Sequence, residues 1–128
     1  MRLGYVIIYV PDIEATVTFY EKAFGLTCRF IHDSGYAEME TGGTALAFAS
    51  EKLAAVNGVA SRQNRPNSDA AGAEIAFVSD DVPTAFANAV AAGAVAYKQP
   101  QKKPWGQVVA YIRDNNGFLV EICSPVGE

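Results

Sequence analysis

Glu74 and Glu121 are the residues of this 128-residue chain best suited to chemistry, because they stand at matched positions of an internal duplication. The run Tyr5-Val-Ile-Ile-Tyr-Val-Pro-Asp12 leads into an apolar-periodic segment ending at Gly25. Its echo, Glu74-Ile-Ala-Phe-Val-Ser-Asp-Asp81, leads into a second segment ending at Gly93. Each copy closes with a strand that follows a glycine, Gly43-Thr-Ala-Leu-Ala47 in the first and Gly117-Phe-Leu-Val-Glu121 in the second. Tyr5 therefore pairs with Glu74, and Ala47 with Glu121. Two carboxylates facing one cavity repel each other, so one proton is held at a raised apparent pKa. Such a pair works as general acid and base, or grips a cationic ligand. The plainer alternative is two acids that are separately solvated or bonded to backbone, since structural networks also perturb carboxylates.

Other chemically capable side chains carry weaker signals. Cys28 and Cys123 lie in strand-like runs and read as small buried hydrophobes rather than a disulfide framework. The single histidine, His32, sits beside Asp33-Ser34-Gly35 in a hairpin-turn pattern, the place of a solvated surface residue. Trp105 and Gln107 follow Pro100-Gln-Lys-Lys-Pro104 in what reads as a rim loop. The indole suits stacking and cation attraction, and the amide can orient a ligand; a packing or dimer contact accounts for the tryptophan equally well. Arg62 and Arg65 could cap an anionic group from the long connection, although loop charges are usually solvated.

The elements that must position these residues are legible from periodicity. Residues 3 to 10 alternate as a strand buried on both faces. Asp12 can cap a helix whose stripe is Ile13, Val17, Tyr20 and Phe24, with Gly25 as its left-handed stop. Strands follow at 26–32, 36–41 and 44–49. The second half repeats this order: a strand at 73–78, a helix striped by Val82, Ala85, Phe86, Ala89 and Val90 and capped by Asp80 or Asp81, then strands near 94–98, 107–113 and 118–123. Residues 1–128 are expected to form one domain, with module 1 at 1–50, a linker at 51–71 and module 2 at 72–128. A connection that long serves as a linker or a working lid.

The fold class expected is α+β: two βαβββ modules whose curved mixed sheets form a partly closed barrel around a cavity, with the helices outside. Strand alternation places Ala45, Ala47 and Ala49 on one face, as it does Glu74, Ala76 and Val78, and Leu119, Glu121 and Cys123. A cavity lined by Tyr5, Ile7 and small residues, with two acids, suits a flat organic ligand with basic groups. Alternatively, the alanines simply let a neighbouring element approach.

Composition narrows the classes. Half the residues are hydrophobic and 19% are charged, as in an ordinary globule. A net charge of −4 argues against nucleic acid, which needs a basic stripe. No run approaches the roughly eighteen apolar residues of a membrane span, and the strand pattern begins at once without a targeting segment. A cytoplasmic protein with a small-molecule ligand, and no nucleic-acid or membrane partner, is expected.

Taken in order and spacing, Tyr-Val-Ile-Ile-Tyr-Val-Pro-Asp with Phe19-Tyr20 and Phe24-Gly25-Leu26, and the closing Arg113-Asp-Asn-Asn-Gly-Phe-Leu-Val-Glu-Ile122, resemble the vicinal oxygen chelate superfamily. That superfamily includes glyoxalase I, extradiol dioxygenases, and fosfomycin and bleomycin resistance proteins. The resemblance implies the fold over nearly the whole chain, but a fold does not fix a reaction. In its metal-using members it implies one ligand in the first strand and one in the last strand of each half. Those positions hold Tyr5, Ala47, Glu74 and Glu121 here. Glu121 matches the family glutamate, Glu74 and Tyr5 stand where histidine is usual, and Ala47 has no donor atom. Two carboxylates and a phenol suit, at most, a weakly held hard ion such as Mg²⁺ or Mn²⁺.

Two functions are therefore expected in order. The first is a glyoxalase/bleomycin-resistance-like binding protein with a degenerate metal site and no cofactor, sequestering a basic aromatic compound or antibiotic as a homodimer. The second is a divalent-metal-dependent lyase, isomerase or transferase of glyoxalase I type, using Glu121 and Glu74 as catalytic groups with Tyr5. A third possibility is an accessory domain that only mediates dimer contacts.

Overall fold

The computed structural model describes residues 1–126 and resolves the chain into two compact units, one spanning Met1–Asn64 and the other beginning at Arg65. In the first unit the order is β1 (Tyr5–Val10), α1 (Ile13–Phe24), β2 (Cys28–His32), β3 (Tyr36–Met39), β4 (Ala45–Ser50) and α2 (Glu51–Val56). In the second it is β5 (Glu74–Val78), α3 (Val82–Ala91), β6 (Val95–Lys102), β7 (Val108–Arg113) and β8 (Leu119–Cys123). The architecture is α+β, with two four-stranded mixed sheets of order β1-β4-β3-β2 and β5-β8-β7-β6. In each sheet the first and last strands of the unit run parallel, and the remaining pairs run antiparallel. Each sheet taken alone is open at both edges rather than closed on itself.

Local chemistry fixes the helices. The Asp12 carboxylate accepts from the Ala15 amide at 3.0 Å, and Gly25 ends α1 at φ 69°, a left-handed turn that costs glycine nothing. In the second unit Asp81 accepts from the Thr84 amide at 3.2 Å, which settles the capping choice between Asp80 and Asp81. Alternation then sends one set of side chains toward the helix. In the first unit Ile8, Val10, Ala37, Met39, Leu46 and Phe48 are buried beneath α1, where Tyr20 meets Phe48 with ring centroids 4.8 Å apart. In the second, Ala110, Ile112, Val120 and Ile122 are buried with Val82, Phe86 and Ala89 of α3.

Three expectations need adjustment. β1 is buried on its Ile8 and Val10 face; Tyr5 and Ile7 remain about half exposed, because α1 packs against the opposite face. The expected linker at 51–71 is not structureless. Ser50 caps α2 through its hydroxyl, 3.0 Å from the Leu53 amide, and the first compact unit runs on to Asn64. β6 also runs on to Lys102, past the strand end expected near residue 98. Pro100 is tolerated there because β6 lies at a sheet edge.

Both sides of the unit boundary are tied down. Asn64 donates its amide to the Tyr9 carbonyl at 3.1 Å within the first unit. In the second, the Arg113 guanidinium donates to the carbonyls of Ser68 (2.6 Å), Gly117 (2.9 Å) and Arg65 (3.4 Å). Gly117, at φ 85°, lies so close to the Arg65 carbonyl that a β-carbon there would collide with it.

Candidate functional site

In the second unit the parallel register β5·β8 sets Ala76 beside Glu121 and Glu74 beside Leu119. Glu74 and Glu121 therefore share one face of adjacent strands, two residues out of step, as alternation predicted. That face is turned away from the buried α3-facing set. Glu74 is exposed, Glu121 is half-buried, and Cys123 is buried on the same row of β8. Tyr111, paired with Glu121 across β7·β8, donates its hydroxyl to Glu121 Oε1 at 3.0 Å.

The electrostatics follow from this crowding. Burial, and then the charge of Glu121, push the Glu74 carboxyl above its ordinary value. Burial, and then the bond to Glu121, push the Tyr111 phenol up to about 12 and the Cys123 thiol up to about 11. All three shifts favour protonated groups facing one carboxylate. Chemically the cluster can share protons or attract a cation, and it keeps the Cys123 thiol unreactive at neutral pH.

Trp105 is exposed, and its indole donates to Gln107 Oε1 at 2.8 Å; Gln107 in turn donates to the Ser124 carbonyl at 2.9 Å. Gln107 thus holds the turn that carries Trp105. Its bond to the Ser124 carbonyl ties the turn to the chain just past β8.

In the first unit Ile7 pairs with Ala47 and Tyr5 with Ala45. Ala47 is fully buried although it lies on the open face, between Ile7 and Glu38. Glu38 and its partners are functional candidates that the sequence reading missed. Glu38 is 8% exposed, accepts the Tyr36 hydroxyl at 2.8 Å on Oε2, and meets Arg29 Nη1 at 3.1 Å on Oε1. Burial, and then Glu38, push the Tyr36 phenol up to about 12. The available signal was the alternation of β3, which puts Tyr36 and Glu38 on the face of Ala47.

Two hollows lie away from the duplicated acids. A cavity of 210 Å³ in the first unit is lined by Tyr9, Glu51, Ala54, Val59, Ser61 and Gln63. A shallow 570 Å³ groove in the second lies between α3 and β6, against Pro83, Phe86, Val90, Ala96 and Pro100. Arg62 is exposed and Arg65 half-buried. His32 is largely exposed, with Nε2 3.2 Å from Asp33 Oδ2, in the turn where the sequence put it.

Nickel, zinc and ferrous ions favour imidazole, and open catalytic sites usually keep three protein ligands. At the positions the resemblance assigns, the second unit offers two carboxylates, one already bonded by Tyr111. The first offers the Tyr5 phenol and the Ala47 methyl. Among the described residues no three His, Cys, Asp or Glu side chains form a group able to hold an ion. This donor set does not fit a resident ion of that kind. Among the described residues, no helix is long and apolar enough to cross a membrane.

Comparison with known proteins agrees with this fold. The sequence model of the Glyoxalase/Bleomycin resistance protein/Dioxygenase superfamily matches residues 2–122. A glyoxalase/bleomycin resistance protein/dioxygenase family enzyme from Burkholderia phytofirmans PsJN superposes with a TM-score of 0.84 at 24% identity, covering 97% of this chain and 98% of that one. A glyoxalase-related enzyme from Fulvimarina pelagi gives 0.82 at 24% identity, covering 98% and 88%. TioX from Micromonospora sp. ML1 gives 0.70 at 21% identity, covering 97% and 98%. These likenesses concern the fold. No curated protein matches the sequence.

Proposed function

The chain belongs to the Glyoxalase/Bleomycin resistance protein/Dioxygenase superfamily, and we propose that within it this protein binds a small basic aromatic molecule at a degenerate metal site. One observation carries the reading: Glu74 and Glu121 share one face of adjacent strands, two residues out of step, with Tyr111 fixing one oxygen of Glu121. A ligand cation would relieve the repulsion between the two acids, which a neutral ligand would not. Trp105, exposed on a turn that Gln107 ties to Ser124 just past β8, would supply a stacking surface.

Equilibrium dialysis against a planar cationic dye such as proflavine tests this. Micromolar binding that weakens at least tenfold in both Glu121→Gln and Glu74→Gln supports it. Binding that is absent, or unaffected by both substitutions, sinks it.

A second reading, a metal-dependent lyase, isomerase or transferase, is favoured by the presence of Glu121 at the last-strand position of the second unit. A hard, hydrated ion such as Mg²⁺ or Mn²⁺ would suit these oxygen donors. Stoichiometric metal in the purified protein that is lost in Glu121→Gln would favour this reading over the first. The exposure of Tyr5, Ile7 and Phe30 on one sheet, and of Val78, Val95 and Tyr97 in the other unit, supports a homodimer. A monomer at micromolar concentration in sedimentation velocity would refute that.

A further inference from the structure

The duplication lets the two sheets be compared strand by strand. Across the first, one row reads Ile7 on β1, Ala47 on β4, Glu38 on β3 and Phe30 on β2. The matching row of the second reads Ala76 on β5, Glu121 on β8, Tyr111 on β7 and Lys98 on β6. The first unit therefore also carries an acid in this row. The carboxylate stands one strand over, on the same face, about 5 Å from where symmetry would put it.

What differs is the company it keeps. Glu121 has another carboxylate as neighbour, whereas both oxygens of Glu38 are already engaged by protein donors, Tyr36 on one and Arg29 on the other. Arg29 reaches it from an irregularity in β2. Cys28 pairs with Met39 and Phe30 with Glu38, so Arg29 is the additional residue of a bulge and shares with Phe30 the stretch opposite Glu38. The guanidinium is held from its other side by Glu40, with Nε at 2.9 Å and Nη2 at 2.8 Å from Oε2. The Glu40 backbone is itself fixed, its amide donating to the Thr27 carbonyl at 2.8 Å. A carboxylate as covered as Glu38 requires a compensating charge, and this one has a permanent, covalently attached cation in a planar, multidentate geometry.

We propose that Arg29 is a built-in cation: it occupies the place on Glu38 that an exchangeable metal or ligand cation would take, and so closes the first unit's acid to binding. The mismatch between this unit and a metal site then has a positive cause, an internal substitute, beyond the missing donor at Ala47. The inference concerns Glu38, which the function proposed above does not use, so either can fail without the other.

The test removes the cation and offers a free one. Arg29→Ala leaves Glu38 with a vacancy shaped for a guanidinium. Millimolar methylguanidinium should raise its melting temperature by about 3 °C, the shift expected when a ligand loads a site several-fold above its Kd in a domain of this size. The wild type and the double variant Arg29→Ala/Glu38→Gln should show no such rise. A variant that folds only with the probe present supports the proposal as well. It is overturned if Arg29→Ala gains no more than the double variant, or does not fold even with the probe. It is equally overturned if wild-type protein binds Mn²⁺ in a manner abolished by Glu38→Gln, followed as paramagnetic broadening of the Tyr36 ring resonances. That last arm needs no change at Arg29.

Discussion

Tyr111 on β7 donates its hydroxyl to Glu121 on β8 across 3.0 Å, tying together the two central strands of the second sheet exactly where its acids collect. Removing that hydroxyl leaves a half-buried carboxylate oxygen short of a donor. Tyr111→Phe should lower stability by about 1 kcal/mol, the usual net worth of such a bond. Urea denaturation should show a reduced midpoint with an unchanged slope.

The Glu74 carboxyl lies above its ordinary value of 4.5, through burial first and the charge of Glu121 second. The folded state then holds more protons than the unfolded one from that ordinary value up to the raised folded one. Stability falls as pH rises through this window, because the native state is the one that must release the proton. The contribution is complete below the ordinary value and lost above the raised one. Glu74→Gln should flatten the profile there, as read by chemical denaturation in steps from pH 4 to neutrality. An unchanged profile would show that Glu74 ionises alike in both states.

A β-carbon at position 117 would strike the Arg65 carbonyl, and φ there is 85°, a region hostile to side chains. Gly117→Ala should cost about 1–3 kcal/mol and loosen the hold of Arg113 on the 65–68 segment. Hydrogen exchange should report faster opening around Ser68, whose amide donates to the Arg65 carbonyl at 3.2 Å.

Phe48 is wholly buried against Tyr20 in the first unit. Phe48→Ala should destabilise by about 3–5 kcal/mol through lost burial and the cavity left behind. Calorimetry would locate that loss as a lowered or split transition.

The sequence made the two-unit α+β plan readable because its cues are local: alternation in β1 and β5, the Asp12 cap, the Gly25 stop, and the Asp114-Asn-Asn-Gly117 turn. α2 escaped notice because six residues are too few for helical periodicity to emerge, and its Ser50 cap doubles as the end of a strand. For the site, duplication was enough to put Glu74 beside Glu121, since matching registers send matching positions to one face. Glu38 with Arg29 could not be read the same way. A bulge changes the pairing by one residue without any composition signature, and Tyr36 meets Glu38 only once both side chains are packed. The partner of Tyr111 depended likewise on the β7·β8 register, which turn length alone left open.

The sideways displacement of the first unit's acid, from the strand of Ala47 to that of Glu38, also constrains redesign. An engineer wishing to rebuild a symmetric acid pair would naturally write Ala47→Glu. That change would set a new carboxylate directly opposite Glu38, in a spot already filled to the last atom, and would compete for the same guanidinium. Building such a symmetry therefore calls for a concerted exchange of three residues, 29, 38 and 47, and single-site libraries would pass it by.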